Sequence, residues 1–299
     1  MEQGFLARIE MYLTRVNRGV RPIGVRSSAV AELDVIRVSN RGPVTEFHLL
    51  SDLRELGLEV GETLLVHSSL SCLGWVVGGP VSVVRVLLEA VGSTGALVMP
   101  TNSGDLSDPA EWSNPPVDET WWNTIRETMP PFDPALTPTR GMGAVVECFR
   151  RLPGATRSCH PHSSFAAYGP LAERITANHR LESSLGEGSP LARLYELDAR
   201  VLLLGVGHDS NTSLHLAEYR ANYAAKKLVT RGAPGPRAGS WVEFEDLDLN
   251  SDDFEALGAD FELEGHVQVS NVGYGKAKLM YQRQLVDFAV SWLESHRDH

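Results

Sequence analysis

What this chain has little of narrows its nature first. Its 299 residues include three cysteines. Cys72, Cys148 and Cys159 are too few and too scattered for a disulfide framework or a zinc knuckle, so a reduced, cytoplasmic protein is expected. No apolar run approaches the roughly 18 residues of a membrane span. The first thirty residues carry Glu2 and Glu10 and lack a continuous apolar core, so no secretory leader is visible. Positive charge is also short: 27 Lys and Arg stand against 38 Asp and Glu, a net of −11. An acidic surface repels phosphates, which argues against nucleic acid as a partner. Neither Ser68 nor Ser213 lies in a G-x-S-x-G elbow, and the histidines and acids do not reproduce H-E-x-x-H.

What is there reads as a soluble globular protein with ample length for a sizeable core, 42% hydrophobic and 22% charged. Charge is unevenly placed. Residues 1–43 hold seven Arg against four acids, and the stretch from Thr101 to Asp133 holds seven acids and only Arg126. Ten acids and no Lys or Arg lie between Arg237 and Lys276, a run read as solvated surface.

Residues 1–43 are expected to be an N-terminal appendage, poorly ordered or loosely docked, ahead of a single domain over 44–299. From Thr45 the pattern sharpens. Leu49, Leu50, Leu53 and Leu56 have helical spacing, with Gly57 as a stop. Thr63 to Val66 reads as a strand, Pro80 opens a helix with Val84, Leu87, Leu88 and Val91 inward, and Ala96 to Met99 is a second strand. Strand, helix and strand in about forty residues make a βαβ unit with a right-handed crossover. The segment from Pro100 to Pro138 holds eight of the seventeen prolines and is a long excursion, a kind of loop that is usually functional. Pro190 to Leu197 is a helix candidate, Phe244 to Phe261 an acidic, weakly patterned insertion, and Leu279 to Leu293 an amphipathic helix. The fold expected is a three-layer α/β/α domain around a mainly parallel sheet, with insertions.

The segment Val201 to Glu218, V-L-L-L-G-V-G-H-D-S-N-T-S-L-H-L-A-E, carries the most information. A Val/Leu run bounded by turn residues is a buried strand, and Gly205 and Gly207 let a ligand approach the main chain. His215 and Glu218 share a helix face at i,i+3. That spacing fits either an imidazole–carboxylate proton-transfer pair or a plain surface pair. Three more clusters sit beside expected strands: H-S-S-L at His67 to Leu70, T-P-T-R-G-M-G at Thr137 to Gly143, and R-S-C-H-P-H-S-S-F at Arg157 to Phe165. Taken singly, each admits a structural reading: His67 as a satisfied core imidazole, Ser68 and Ser69 as caps, Cys159 as buried filler.

Together the clusters resemble the antibiotic N-acetyltransferase family, the aminoglycoside 3-N-acetyltransferases that use acetyl-CoA. The resemblance is carried by L-L-V-H-S-S-L-S-C-L-G-W-V-V-G-G (Leu64 to Gly79), L-V-M-P-T (Leu97 to Thr101) and F-D-P-A-L-T-P-T-R-G-M-G (Phe132 to Gly143). R-S-C-H-P-H-S-S-F-A-A-Y-G (Arg157 to Gly169), L-G-E-G-S-P-L (Leu185 to Leu191) and the segment above complete it, in order, over roughly Pro43 to His296. It says nothing of residues 1–43.

The resemblance implies transfer of acetyl from CoA to the 3-amino group of a deoxystreptamine ring, and with it antibiotic resistance. His215 is implied as the general base, because the amine must lose a proton to attack the thioester and an imidazole suits that task. Glu218 would orient the ring, Asp209 is a further carboxylate candidate, and His160 is expected at the site floor or on the ligand. Ser68, Ser69, Leu70 and Gly78 are implied as contacts to the thioester and pantetheine arm, and Thr139, Arg140, Gly141, Met142 and Gly143 to the rest of CoA. Trp75, Asp105 and Glu111 are candidates for the cationic drug, with Asp108, Asp118, Glu119, Trp112, Trp121 and Trp122 as further acids and stacking surfaces. No metal is expected, and a monomer or homodimer is. Alternatives are an N-acetyltransferase for another amine, a hydrolase with a metal at His160, His162 and Asp209, and a CoA-binding module without transfer.

Overall fold

The computed structural model describes residues 42–297 apart from Asn114. The expectation for the N-terminal appendage therefore falls, up to residue 41, outside the described residues.

The centre of the fold is built by the three most apolar strands. β1 (Thr63–Ser68), β2 (Ala96–Pro100) and β5 (Arg200–Leu204) are buried along nearly their whole length, as strands covered on both faces must be. β1 runs parallel to both neighbours, pairing Leu64 with Leu97 and Leu65 with Val201. The crossover from β1 to β2 is helix α2 (Pro80–Val91), opened by the proline at its first turn. The expected βαβ unit is thus present.

Outside this trio every pair of strands among the described residues is antiparallel. β4 (Phe165–Tyr168) lies against β2 and β3 (Thr156–Arg157) against β4, while β9 (Gly275–Tyr281) lies against β5 and β8 (Gln268–Val272) against β9. The sheet order is β3-β4-β2-β1-β5-β9-β8. The class is α/β, and the sheet is mixed, its parallel part confined to the centre. Hairpin connections such as Gly273–Tyr274 between β8 and β9 are too short for a parallel crossover and dictate the antiparallel flank.

Alternation along the central strands sends side chains to two cores. Leu64, Val66, Leu97, Met99, Leu202 and Leu204 pack on α1 (Glu46–Glu55), α2 and α4 (Gly143–Phe149). Leu65, Val98, Val201 and Leu203 pack on the opposite layer. That layer holds α5 (Ala172–Thr176), α6 (Pro190–Glu196), α7 (Ser213–Arg220), α8 (Phe254–Leu263) and α9 (Gln282–His296). Residues 101–138 contain no strand among the described residues; they hold turns, three short 3-10 segments and the short α3 (Trp122–Thr128). No helix among the described residues is long and apolar enough to cross a membrane.

Two expectations are corrected. The acidic stretch Phe244 to Phe261 is no surface insertion. It contains most of β7 (Trp241–Leu247), which pairs with β6 (Leu228–Pro234) in a separate hairpin, and α8, whose Phe254, Leu257 and Phe261 are core residues. On α8 the acids Glu255 and Asp260 occupy outer positions around that apolar stripe, while Asp246 of β7 is itself buried. Leu279 to Tyr281 is strand, not helix, because Ala277 and Leu279 alternate inward on β9 before the helical period begins. Leu285, Ala289, Trp292 and Leu293 do form the buried face of the helix that follows.

Candidate active site

Parallel strands β1 and β5 end side by side, so the turns that follow them meet. Ser69 N–H donates to the Leu204 carbonyl at 2.9 Å. Gly205, at φ +73°, is needed there: a Cβ would lie 2.7 Å from that of Cys72 and 3.2 Å from the Ser69 carbonyl oxygen. The carboxyl ends of such strands are where open α/β sheets hold ligands. Here they border an open cavity of about 630 Å³. Its walls are residues 66–71 from the end of β1, Pro100 and Asn102 at and after the end of β2, residues 141–146 at the start of α4, and Val206, Asp209, Ser210, Thr212 and His215.

His215 stands on the first turn and a half of α7 with its ring between cavity and core. Its Nδ1 is 2.5 Å from Glu218 Oε2, which leaves Nε2 as the nitrogen for a reacting group. The Phe254 ring packs against the imidazole, with centroids 4.8 Å apart.

Glu218 is fully buried. A buried carboxylate is tolerated only when its charge and lone pairs are answered. Its Oε1 accepts the Asn250 N–H at 3.0 Å and an Arg297 N–H at 2.6 Å. Arg297 in turn binds Asp253 with two N–H groups, at 2.7 and 2.6 Å, and the Asn250 carbonyl at 2.7 Å. Burial opposes the charge of this guanidinium, but the hydrogen bonds to Asp253 and Glu218 outweigh it and hold its pKa above the usual arginine value.

His67 faces the same cavity from β1. Its Nε2 lies 3.4 Å from Thr212 Oγ1. Burial first, and then the nearby His215, push its pKa down to about 3, so it stays neutral. Asp209 lines the cavity too; its N–H donates to Glu255 and its carboxylate accepts from Ser210 Oγ at 3.2 Å.

The cavity fits a long polar cosubstrate such as acetyl-CoA. Ser68 Oγ and Asn102 Oδ1 are buried without a hydrogen-bond partner among the described residues, and both residues line the wall. Gly141 and Gly143, at φ +72° and +81°, present bare backbone there, with nothing within 4 Å of where a Cβ would stand.

The structure thus brings together His215, Glu218, Asp209, Ser68, Ser69, Leu70, Gly141, Met142 and Gly143. It does not bring the others to this cavity. Gly78 packs over Ser82. Thr139 gives both its N–H and its hydroxyl to Glu147, at 2.7 and 2.6 Å. Arg140 pairs with Asp105, and both border a separate cavity of about 360 Å³ with Trp112, Ser113, Pro115 and Val117. Glu111 is bound to Arg231 at 3.0 Å, Asp108 to Arg126, and Asp118 caps its own turn. Trp75 is part-exposed beyond the cavity wall.

His160 lies elsewhere, fully buried beside His162, His179 and Phe244, with ring centroids 5.7, 4.7 and 6.1 Å away. Its Nδ1 accepts the N–H groups of His162 and Ser163 at 3.1 and 3.0 Å, so the proton sits on Nε2, toward the Leu181 carbonyl. Burial holds its pKa well below the ordinary value. Among the described residues no group of three or more His, Cys, Asp or Glu is placed to hold a metal ion. His160 and His162 do not meet Asp209.

Sequence reasoning missed Asn102, Asn250, Asp253 and Arg297. Asn102 follows a strand end on the ligand side, which was a usable signal. Arg297, beyond the periodic part of α9, carried none. Arg157, quoted only within a motif, ties the 101–138 excursion down: its guanidinium donates to Thr101, Ser103, Pro134, Thr137 and Ser164.

The family model described as Aminoglycoside 3-N-acetyltransferase matches residues 65–294. A Bacillus subtilis protein, the SPbeta prophage-derived aminoglycoside N(3')-acetyltransferase-like protein YokD, is 47% identical over 255 residues, covering 84% of this chain and 92% of that relative. The crystal structure of YokD superimposes with a TM-score of 0.85 over 88% of this chain and 98% of the other, at 44% identity. A structure of AAC-IIIb, binary with CoASH, gives 0.74 at 31% identity over 86% and 98% of the two chains. AAC-VIa bound to sisomicin gives 0.78 at 32% identity over 86% and 100%.

Proposed function

The chain belongs to the aminoglycoside 3-N-acetyltransferase family, and we propose that it moves acetyl from acetyl-CoA directly to the 3-amino group of a deoxystreptamine drug, with His215 as general base. The observation that carries this reading is a cavity-facing imidazole whose far nitrogen is fixed by a buried carboxylate.

An ammonium has no lone pair, so the acceptor must reach the thioester as a neutral amine. His215 Nε2 takes the proton as the nitrogen attacks. Glu218 fixes the tautomer through Nδ1 and stabilises the imidazolium as it forms. The proton leaves with the thiol, and no acyl-enzyme is required. Negative charge develops on the thioester oxygen, where donors must already be aimed. The Ser68 hydroxyl, unpaired at the end of β1, and the neighbouring backbone N–H groups are suited to that place. Asp209 lines the same wall and suits an ammonium of the drug. Gly141 to Gly143 border the cavity where the pantetheine arm would run. Asp105, beside the second cavity, offers a carboxylate to a cationic sugar, although Arg140 shares its charge.

Thiol release from acetyl-CoA in the presence of a panel of amines tests the reading. Release with kanamycin-like or gentamicin-like acceptors is expected. Release with other amines alone would assign the site to a different acceptor, and CoA binding without release would leave only a binding module.

A further inference from the structure

We propose that Arg297 is a positioning residue for acetyl transfer: it holds the Glu218 carboxylate against His215 and shares that carboxylate's charge with it. The inference rests on His215 being the base. It names a residue from the end of a different helix, 79 positions along the chain from Glu218.

Glu218 needs both of its oxygens held. One oxygen faces the His215 ring, and a carboxylate held by that contact alone could turn about its own χ angles. The other oxygen is held by the Asn250 N–H and the Arg297 guanidinium. Arg297 is itself over-determined: Asp253 holds its other edge through two N–H groups, the Asn250 carbonyl takes a further N–H, and the Tyr223 ring lies 5.2 Å from its central carbon. A planar fork fixed at three sides transmits orientation, which a lysine cannot match. The order of contacts is therefore Asp253, Arg297, Glu218, His215, cavity.

Charge sharing follows from the same contacts. An unshared buried carboxylate beside an imidazole would favour the imidazolium strongly and leave a base that is already protonated. Arg297 spends part of Glu218's charge, and Asp253 spends part of Arg297's. The other charged and titratable groups around the pair are His67 from β1 and Asp209 from the loop before α7 on the His215 side, and Tyr223 and Lys226 beyond the end of α7 on the Glu218 side. His67 is neutral, and Lys226 gives its ammonium to the carbonyls of Tyr219 and Ala221. Among the described residues, Arg297 is the arginine or lysine in direct contact with Glu218.

The test is the pH profile of kcat/KM and the split between kcat and KM for full-length Arg297→Met, Arg297→Lys and Asp253→Asn, with His215→Ala in the same assay. Arg297→Met should lower kcat about 10- to 100-fold, leave the KM for acetyl-CoA nearly unchanged, and move the acid limb to higher pH. Arg297→Lys should restore part of kcat. Asp253→Asn should move the acid limb the other way, to lower pH, and keeps the proposal testable if Arg297→Met does not fold. Combined with Glu218→Gln, Arg297→Met should add little further loss. An unmoved acid limb in both Arg297→Met and Asp253→Asn, with kcat per CoA-binding site unchanged, would overturn the proposal while His215→Ala stayed inactive. Activity of His215→Ala near the wild-type level would instead remove the base reading on which it stands.

Discussion

Two groups of histidines in this molecule are made of the same residue and do opposite things. His160 and His179 are buried with His162 half-buried beside them, and their ring nitrogens meet backbone groups or hydroxyls: Ser163 N–H, the Leu106 carbonyl, Ser158 Oγ and the Ser184 carbonyl. On His160 and His179 both ring nitrogens are taken. His215 meets a carboxylate with one nitrogen and a cavity with the other. An imidazole surrounded by backbone partners is a neutral packing element, while one set between a buried charge and a cavity is a base. Neighbours, not residue type, divide structure from chemistry here.

The contrast can be broken most sharply by exchange of effects. His215→Ala should cut turnover by roughly 10²- to 10⁴-fold, the range of a lost general base, with the melting temperature and CoA affinity close to wild type. Steady-state thiol release and a binding titration check this. His160→Ala should do the reverse. It strands the half-buried His162 and Ser163 N–H groups and opens a cavity, so unfolding free energy should fall by about 2–4 kcal/mol. Turnover per folded molecule should stay within a small factor, as denaturant melts paired with active-site titration would show.

The same contrast has a pH consequence. Burial pushes His179 down to about 4, below the roughly 6.5 of an unfolded histidine. The unfolded chain therefore binds protons that the folded chain refuses. Stability is full above about pH 6.5 and is lost as pH falls toward the folded value, by about 1.4 kcal/mol per unit for each such group. His179→Gln should flatten the loss between pH 6.5 and 4.5 by about one proton's slope, read from urea melts across that range. A steeper slope in the variant would contradict the assignment of neutral, backbone-satisfied rings.

The smallest effect belongs to the acidic excursion. Glu111 is bound to Arg231, so its charge is largely spent within the protein. Glu111→Gln should change unfolding free energy by less than about 1 kcal/mol and the KM for a cationic acceptor only slightly. Asp105→Asn, at the second cavity, should raise that KM more. Both acids are ion-paired, so equal effects would remove the distinction between a pair away from the cavities and the Asp105–Arg140 pair at a cavity's edge.

Much of this was legible in the chain. The central strands announce themselves as short apolar runs because both their faces are covered, and Pro80 and Gly57 punctuate helices as expected. His215 and Glu218 could be paired from spacing, since three residues is one helix face. The antiparallel flank was harder to see. β9 is a half-buried strand that runs straight into α9 at Gln282 without a turn signal, so its alternation was absorbed into the helical period. Glu255, Asp260 and Glu262 of α8 hid a core stripe of equal number, Phe254, Leu257 and Phe261. The partners of Glu218 arrive from Asn250 and Arg297, brought there only by tertiary packing, and no local spacing encodes such a meeting. His160 looked as prominent as His215 in sequence because prominence in a motif does not report which nitrogens are already taken.

The most direct measurement of the central claim is the position of the acetyl group. Wild-type protein, acetyl-CoA and a deoxystreptamine drug should yield one product, with NMR placing the acetyl on the 3-amino nitrogen, and His215→Ala should yield almost none in the same time. Acetyl on another nitrogen, or the same product formed by His215→Ala at close to the wild-type rate, would contradict the account.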